Sequence, residues 1–303
     1  MTFCLFYCIL KFSLVETLLQ VWKRAQMKAT NVKSGIFSLI LFLSAFAPAA
    51  MAERIEPEKI AGSSWDYELY VDLWLPWAPV TVTHGDLEVE LPETLRTLLR
   101  SLNFFSVMRF KARKGPVGFF VNPLYFNGSW EDEFKKPALA GREYKVNERV
   151  FLVDFGMSYE IGRWDIGKNG KSRELSLEPY AGFRYLHDNL TLKVGPGRIS
   201  DGFKKYIQVE STSPIIGLQS RAQVTDSWDV LFVGDYGGFG VNDMDVSFQL
   251  ATYFEYNFKW GKTKDKSARV SLGYRYLHLD HDSGETRFEL AAKGPVLGLG
   301  FLF

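Results

Sequence analysis

The chain has 303 residues, of which 47% are hydrophobic, 16% aromatic and 23% charged, with 36 basic against 35 acidic residues and two cysteines. Such aromatic content excludes a disordered chain, two cysteines exclude a disulfide framework, and balanced charge argues against a nucleic-acid binder, which would carry a basic surplus. Mean hydropathy is near zero at -0.08, yet the long apolar bursts all lie before residue 52, the distribution of an exported protein.

From Met27 the chain reads as a secretory signal: Lys28 and Lys33, then the apolar run Gly35 to Ala47, then Pro48 and Ala50-Met51-Ala52, with cleavage before Glu53. Residues 27–52 are therefore expected to be removed. Residues 1–26 make little sense upstream of such a signal and read as a misassigned extension; the alternative is an apolar anchor around Leu5 to Leu19, interrupted by Lys11 and Glu16. Cleavage removes Cys4 and Cys8 and leaves a slight acidic excess. No cysteine stands at the cleavage site to carry a lipoprotein anchor. Residues 53–64 read as a short periplasmic segment ahead of one domain over 65–303.

Along that domain the apolar period is two. Trp65, Tyr67, Leu69, Val71, Leu73 and Leu75 alternate with Asp66, Glu68 and Asp72, so one face of a strand is apolar and the other charged. The long connection that follows holds Leu91, Leu95, Leu98, Leu99 and Leu102 at helical spacing with Pro92 at a first turn. A short amphipathic helix is expected there, its Arg96 and Arg100 either solvated or meeting lipopolysaccharide phosphates. Strands over 102–113 and 117–125 flank the Lys114-Gly115-Pro116 turn. Phe151, Val153, Phe155, Met157, Tyr159 and Ile161 oppose Asp154, Gly156, Ser158 and Glu160. Further strands cover about 176–187, 213–224, 228–237, 268–279 and 288–303. The clearest runs from Val246 to Trp260, with Phe248, Leu250, Phe254, Tyr256, Phe258 and Trp260 on one face against Ser247, Gln249, Glu255 and Lys259 on the other.

This pattern predicts an all-β fold, a transmembrane antiparallel up-and-down barrel of about ten strands, with eight as the alternative if two weaker segments are loop hairpins. Bilayer-spanning strands need about 9–11 tilted residues with aromatic girdles at both interfaces. Links near 114–116, 163–174, 225–227 and 261–266 alternate with longer ones near 77–101, 127–147, 188–212, 238–245 and 280–287. Outer-membrane barrels have such short periplasmic turns and longer extracellular loops, and an even strand number keeps both termini in the periplasm.

Gly182-Phe183-Arg184-Tyr185-Leu186-His187 and Gly273-Tyr274-Arg275-Tyr276-Leu277-His278 are near-copies. With their aromatics facing lipid, Arg184 and Arg275 point inward, because an arginine facing lipid at mid-membrane costs ~2–4 kcal/mol. Alternation also sends Arg109, Lys111, Gln219, Arg221, Asp66, Glu68, Asp72, Asp154, Asp235 and Glu255 into a lumen rich in both charges. The expected polar network is Arg109, Arg184, Arg221, Asp235, Glu255 and Arg275. In a barrel this narrow it reads first as an ion-paired plug, with a narrow path for ions or small solutes as the alternative.

The chain closes on an alternating apolar strand whose Phe301 and Phe303 look like the signal read by the barrel assembly machinery. Trp74-Leu75-Pro76, Ala112-Arg113-Lys114-Gly115, Pro214-Ile215-Ile216-Gly217-Leu218, Gly237-Gly238-Phe239-Gly240, Gly273-Tyr274-Arg275-Tyr276-Leu277 and Gly294-Pro295-Val296-Leu297-Gly298-Leu299, in this order, resemble a widespread family of Gram-negative outer-membrane β-barrel proteins. The resemblance implies fold and location; the family carries no agreed catalytic activity to transfer.

His84, His187, His278 and His281 fall toward the extracellular half. His278-x-x-His281 with Asp280, Asp282 and Glu285 could suggest a metal site, or a lipid hydrolase with Ser283 as nucleophile, but the same segment is a polar hairpin loop. Neither a catalytic residue nor a cofactor is expected. The expected role is structural or surface-interacting, the partners outer-membrane lipid, lipopolysaccharide and the assembly machinery, and the oligomeric state a monomer that binds no nucleic acid. N-terminal sequencing of the native protein should give Glu53; a peptide from Thr2 to Lys23 would contradict the reassigned start.

Overall fold

A computed structural model describes residues 53–55, 64–76, 80–84, 87–91, 102–133, 143–167, 171–196, 202–259, 267–284 and 286–303. The signal segment, residues 1–26 and, of the helix expected over 92–102, all but Leu102 lie outside these residues. Of the leucines at helical spacing, Leu91 and Leu102 belong to strands. The strands in chain order are β1 (Glu53–Ile55), β2 (Asp66–Trp74), β3 (Val80–His84), β4 (Leu87–Leu91), β5 (Leu102–Lys114), β6 (Val117–Glu133), β7 (Glu143–Tyr159), β8 (Gly162–Asp165), β9 (Glu174–Val194), β10 (Phe203–Gln223), β11 (Trp228–Val241), β12 (Met244–Lys259), β13 (Ser267–Asp282) and β14 (Thr286–Leu302). No described residue is helical.

Ten of these strands close into an antiparallel ring, β2-β5-β6-β7-β9-β10-β11-β12-β13-β14. β14 returns to β2 in a register from Val296↔Trp74 to Leu302↔Glu68, so the first and last ring strands satisfy each other's backbone groups and no edge remains between them. Beyond Trp74 the same side of β14 is covered by β3, from Leu290↔Val80 to Thr286↔His84, and β3 in turn pairs with β4. At the end holding Phe303, β8 pairs with the start of β9, and β1 pairs with β8. In the β8–β9 turn, the backbone N–H groups of Arg173 and Gly167 donate to Asp165 Oδ1 at 3.0 and 2.8 Å and hold that carboxyl below its ordinary range.

All ten expected ring strands are present, but several run further than the sequence implies at the end away from the termini. β6 continues to Glu133, β7 begins at Glu143, and β9 and β10 extend to Val194 and back to Phe203. The connections there shrink to match. The expected loop over 238–245 is mostly strand: β11 and β12 meet at Asn242-Asp243, whose φ values of 50° and 62° give the doubly left-handed bend of a tight hairpin.

The reason for the misjudged lengths is an exchange of faces. Near the termini, outward residues are apolar: Phe151, Phe155, Met157 and Tyr159 on β7, and Phe254, Tyr256 and Phe258 on β12, are all exposed. From Phe248 to Phe258 this belt is about 26 Å tall, at a rise of ~3.4 Å per residue and a tilt of ~40°. Past Phe151 and Tyr185 the apolar residues move to the inner positions. On β9 these are Leu186, Leu190, Leu192 and Val194, all buried, whereas outward positions become His187, Asn189, Thr191 and Lys193. The strand keeps its alternation and the two faces swap polarity.

Gly156 and Gly182 face each other across β7 and β9. A Cβ on Gly182 would stand 2.1 Å from the Phe155 carbonyl oxygen, and one on Gly156 2.3 Å from that of Ala181. Gly182→Val should therefore lower the urea midpoint of the folded barrel in lipid vesicles by the equivalent of about 1–3 kcal/mol; an unchanged midpoint would contradict this close approach.

Candidate functional site

The charged inner residues form a connected network in the half of the barrel nearer the termini. At its centre Arg184 is fully buried. Its Nε and Nη2 donate to the two oxygens of Asp154 at 2.6 and 2.9 Å, Nη2 also lies 3.1 Å from Asp235 Oδ1, and Nη1 donates to Ser247 Oγ at 2.6 Å. Asp235 also accepts from Tyr180 Oη at 2.9 Å and Gln249 Nε2 at 3.0 Å. Arg275 donates to the side-chain Oε1 of Gln249 and stacks over Trp74, 4.8 Å from the ring centroid. A buried charge is tolerated only when paired and hydrogen-bonded, and Arg184 meets both conditions through partners on three other strands, β7, β11 and β12.

Around this centre, Arg109 pairs with Asp72 at 2.6 Å and lies between the rings of Tyr70 and Tyr253, 4.2 and 4.3 Å from their centroids. Arg221 bonds Glu255 and approaches Glu68 at 3.6 Å, and Arg269 donates to Tyr70 Oη at 3.0 Å. Nearest the termini, Arg113 bonds both Glu160 and Glu178, and Lys111 reaches Glu178 at 2.5 Å. The space left among these groups is a cavity of about 80 Å³, bordered by Tyr70, Arg109, Asp154, Arg221, Asp235 and Arg275 among others. At ~10–15 Å³ per water position, it has room for a few waters.

The other half of the interior is apolar. Trp74, Val107, Leu124, Trp130, Val146, Val150, Leu152, Leu279 and Phe288 join the inner residues of β9 in one buried cluster. The expectation of a lumen rich in charge throughout therefore describes one storey only. Glu148 and Asp188 are the buried acids of the apolar storey, diagonal neighbours on β7 and β9.

All six residues of the expected polar network point inward. Arg184, Asp235 and Arg275 meet at the centre, Arg221 and Glu255 pair below it, and Arg109 reaches them through Tyr70 and Tyr253. Asp66 is exposed at the rim. Arg113, Glu178, Tyr180 and Arg269 were not singled out from the sequence, although parity carries the signal: Glu178 and Tyr180 share the face of Arg184, and Arg269 that of Arg275. Phe301 and Phe303 lie on the outer face at the end of β14, Phe303 stacked on Tyr67 with centroids 5.8 Å apart.

The histidine segment is dispersed. His278 faces out and His281 in from β13, Asp280 pairs with Arg287 at 3.0 Å, and Ser283 Oγ donates to the Thr286 carbonyl in its own turn. Among the described residues no group of three His, Cys, Asp or Glu side chains could hold a metal ion. Arg96 and Arg100 lie outside the described residues.

No protein-family model matches the chain, and none of the curated proteins does. Solved structures similar to it include the outer membrane protease OmpT from Escherichia coli, 11% identical over 80% of this chain and 100% of that one, with a TM-score of 0.42. The attachment invasion locus protein Ail of Yersinia pestis is 11% identical over 78% of this chain and 98% of its own, with a TM-score of 0.29. Neisserial surface protein A is 10% identical over 78% and 98%, with a TM-score of 0.23. These are Gram-negative outer-membrane β-barrels. At such scores the likeness adds nothing to the strand pairing described above, and no activity is drawn from it.

Arg184→Ala would leave Asp154 and Asp235 buried without their cation. The expected loss is about 3–5 kcal/mol, read as a lower urea midpoint in lipid vesicles, and Arg184→Ala/Asp154→Asn should recover part of it. Equal midpoints for wild type and Arg184→Ala would contradict the network as drawn.

Proposed function

We propose that the chain is an integral β-barrel of a Gram-negative outer membrane, with both termini in the periplasm, a closed lumen, and a far-end collar standing clear of the bilayer as the surface that meets partners. The observation that carries this reading is the exchange of faces along β7 and β9. An outer apolar belt of about 26 Å matches the apolar band of ~25 Å that outer-membrane barrels present to lipid. Beyond it, polar outer residues and an apolar interior are what a barrel surrounded by water requires.

Closure rests on two barriers in series. Arg184, Asp154 and Asp235 span the lumen at one level, and the apolar cluster from Trp74 to Phe288 fills it at the next. An ion crossing this path would have to replace salt bridges and then shed its water. The second reading, a narrow path for ions or small solutes, draws on the cavity beside Arg109 and Asp235. The reading as a non-enzyme rests on Ser283, whose hydroxyl is committed to its own turn, and on the opposed directions of His278 and His281. Membrane lipid and lipopolysaccharide would contact the belt and collar, and β14 with Phe301 and Phe303 would engage the assembly machinery.

Recordings from the purified full chain in planar bilayers test closure. The wild type should be electrically silent, and Arg184→Ala should add only brief, irregular events, because the apolar storey is untouched. Stable, reproducible conductance steps in the wild type would overturn the closed lumen in favour of the channel.

A further inference from the structure

The collar carries an arrangement of charge that stability alone disfavours. On β7, β9 and β10 the register makes Lys145, Lys193 and Lys204 direct partners in one row. Directly paired side chains on one face have Cβ atoms ~5 Å apart, and like charges so placed repel. All three are on the outer face; Lys193 and Lys204 are exposed. Glu131 bonds Lys145 from β6. Lys204 lies 4.3 Å from the centroid of the Tyr206 ring, and among the described residues neither Lys193 nor Arg149 has a carboxylate partner. Elsewhere on the collar opposite charges meet, as Arg287 and Asp280 do.

The rows between these lysines and the belt have a matching chemistry. Tyr206, at 66% the most exposed of the large apolar side chains among the described residues, pairs with Thr191, which pairs with Asn147. One row nearer the belt, Arg149 pairs with Asn189 and Asn189 with Gln208. Below these, Phe151 pairs with His187 and His187 with Glu210, and Tyr185, one row further down at the edge of the apolar belt, donates its hydroxyl to Glu210 at 3.0 Å. From lipid outward, this face therefore offers an aromatic boundary with one carboxylate held by the Tyr185 hydroxyl, a guanidinium among amides, an exposed aromatic ring with Lys204 over one face and a hydroxyl beside it, and then three ammonium groups. Amides and hydroxyls bond sugar hydroxyls, an open ring face stacks on a sugar ring, and cations pair with phosphate.

We infer that the outer face of β7, β9 and β10 above Phe151 and Tyr185 is a binding site for the phosphorylated saccharide headgroup of an outer-leaflet glycolipid, with Arg149 and the Lys145–Lys193–Lys204 row as its phosphate contacts. The inference rests on the membrane placement proposed above. A headgroup anchored by its acyl chains beside the belt is held at this height, which a soluble anion is not. Phosphate between the lysines also turns their mutual repulsion into attraction.

The test uses the purified full chain in detergent micelles. The probe is bisphosphorylated lipid A carrying its core saccharide, and the control is the same glycolipid stripped of phosphate. Retention is read by native mass spectrometry. Wild type should retain the phosphorylated form preferentially and less so as salt rises, and Arg149→Gln/Lys193→Gln/Lys204→Gln should weaken retention by about tenfold or more, the size expected for lost charge-assisted contacts. Arg287→Gln, across the ring on β14, should leave it unchanged. Equal retention by wild type and triple variant, equal retention of the dephosphorylated form, or displacement by an equal concentration of inorganic phosphate would overturn the site. Insertion into vesicles is scored in parallel by heat-modifiable gel mobility. Failure of the wild type to insert would overturn the membrane placement, whereas an inserted barrel with variant-insensitive retention would overturn this site alone.

Discussion

Closure of β14 onto β2 is the constraint on which the rest of the structure depends. In hydrocarbon no water is present to satisfy an open strand edge, so a sheet can cross only as a ring. Once the ring is closed, each ring strand has one set of side chains inside and the alternate set outside, except across bulges such as that between Met244 and Val246. Nothing in the backbone marks where lipid stops. Only the choice of residues at each parity can do that, and the choice reverses near Phe151 and Tyr185.

The reversal explains why one barrel has two different interiors. Within the belt the outer positions are apolar, and polar residues are confined to the lumen, where they must pair because so narrow a ring holds little water. Arg184 between Asp154 and Asp235, and Arg109 between two tyrosine rings, are the outcome. Outside the belt the relation is that of a soluble barrel, with apolar residues in and polar residues out, and the inner face becomes a hydrophobic core with Phe288, Leu279 and Leu152 at its heart. On the proposed placement this storey is surrounded by water and gains from the hydrophobic effect; the lower storey is held by electrostatics and hydrogen bonds.

The sequence made the ring legible where one face was consistently apolar. Val246 to Lys259 and Phe151 to Tyr159 are strands with the expected faces, and the lumen positions of Arg184 and Arg275 followed from their aromatic neighbours. Strand ends were legible only to the girdle. Past Phe151 the apolar residues of β7 are Val150 and Val146, at the opposite parity, so a reading that tracks one apolar face ends the strand there. The same change hides the outer parts of β9 and β10. Individual ion pairs were beyond reach, because parity places Arg113 and Glu178 inside without saying that strands distant in sequence set them side by side. The lysine row was hidden for the same reason: Lys145, Lys193 and Lys204 come together only through the register.

The exchange of faces is tested most directly by single spin labels placed in turn along β9 from Ala181 to Lys193 in lipid vesicles, reading oxygen against aqueous-quencher accessibility. Outward positions Ala181, Phe183 and Tyr185 should favour oxygen, outward positions Asn189, Thr191 and Lys193 should favour the aqueous quencher, and inward positions from Arg184 to Leu192 should admit neither. Lipid-like accessibility that continues through Lys193, or aqueous access at Leu186 and Leu190, would contradict it.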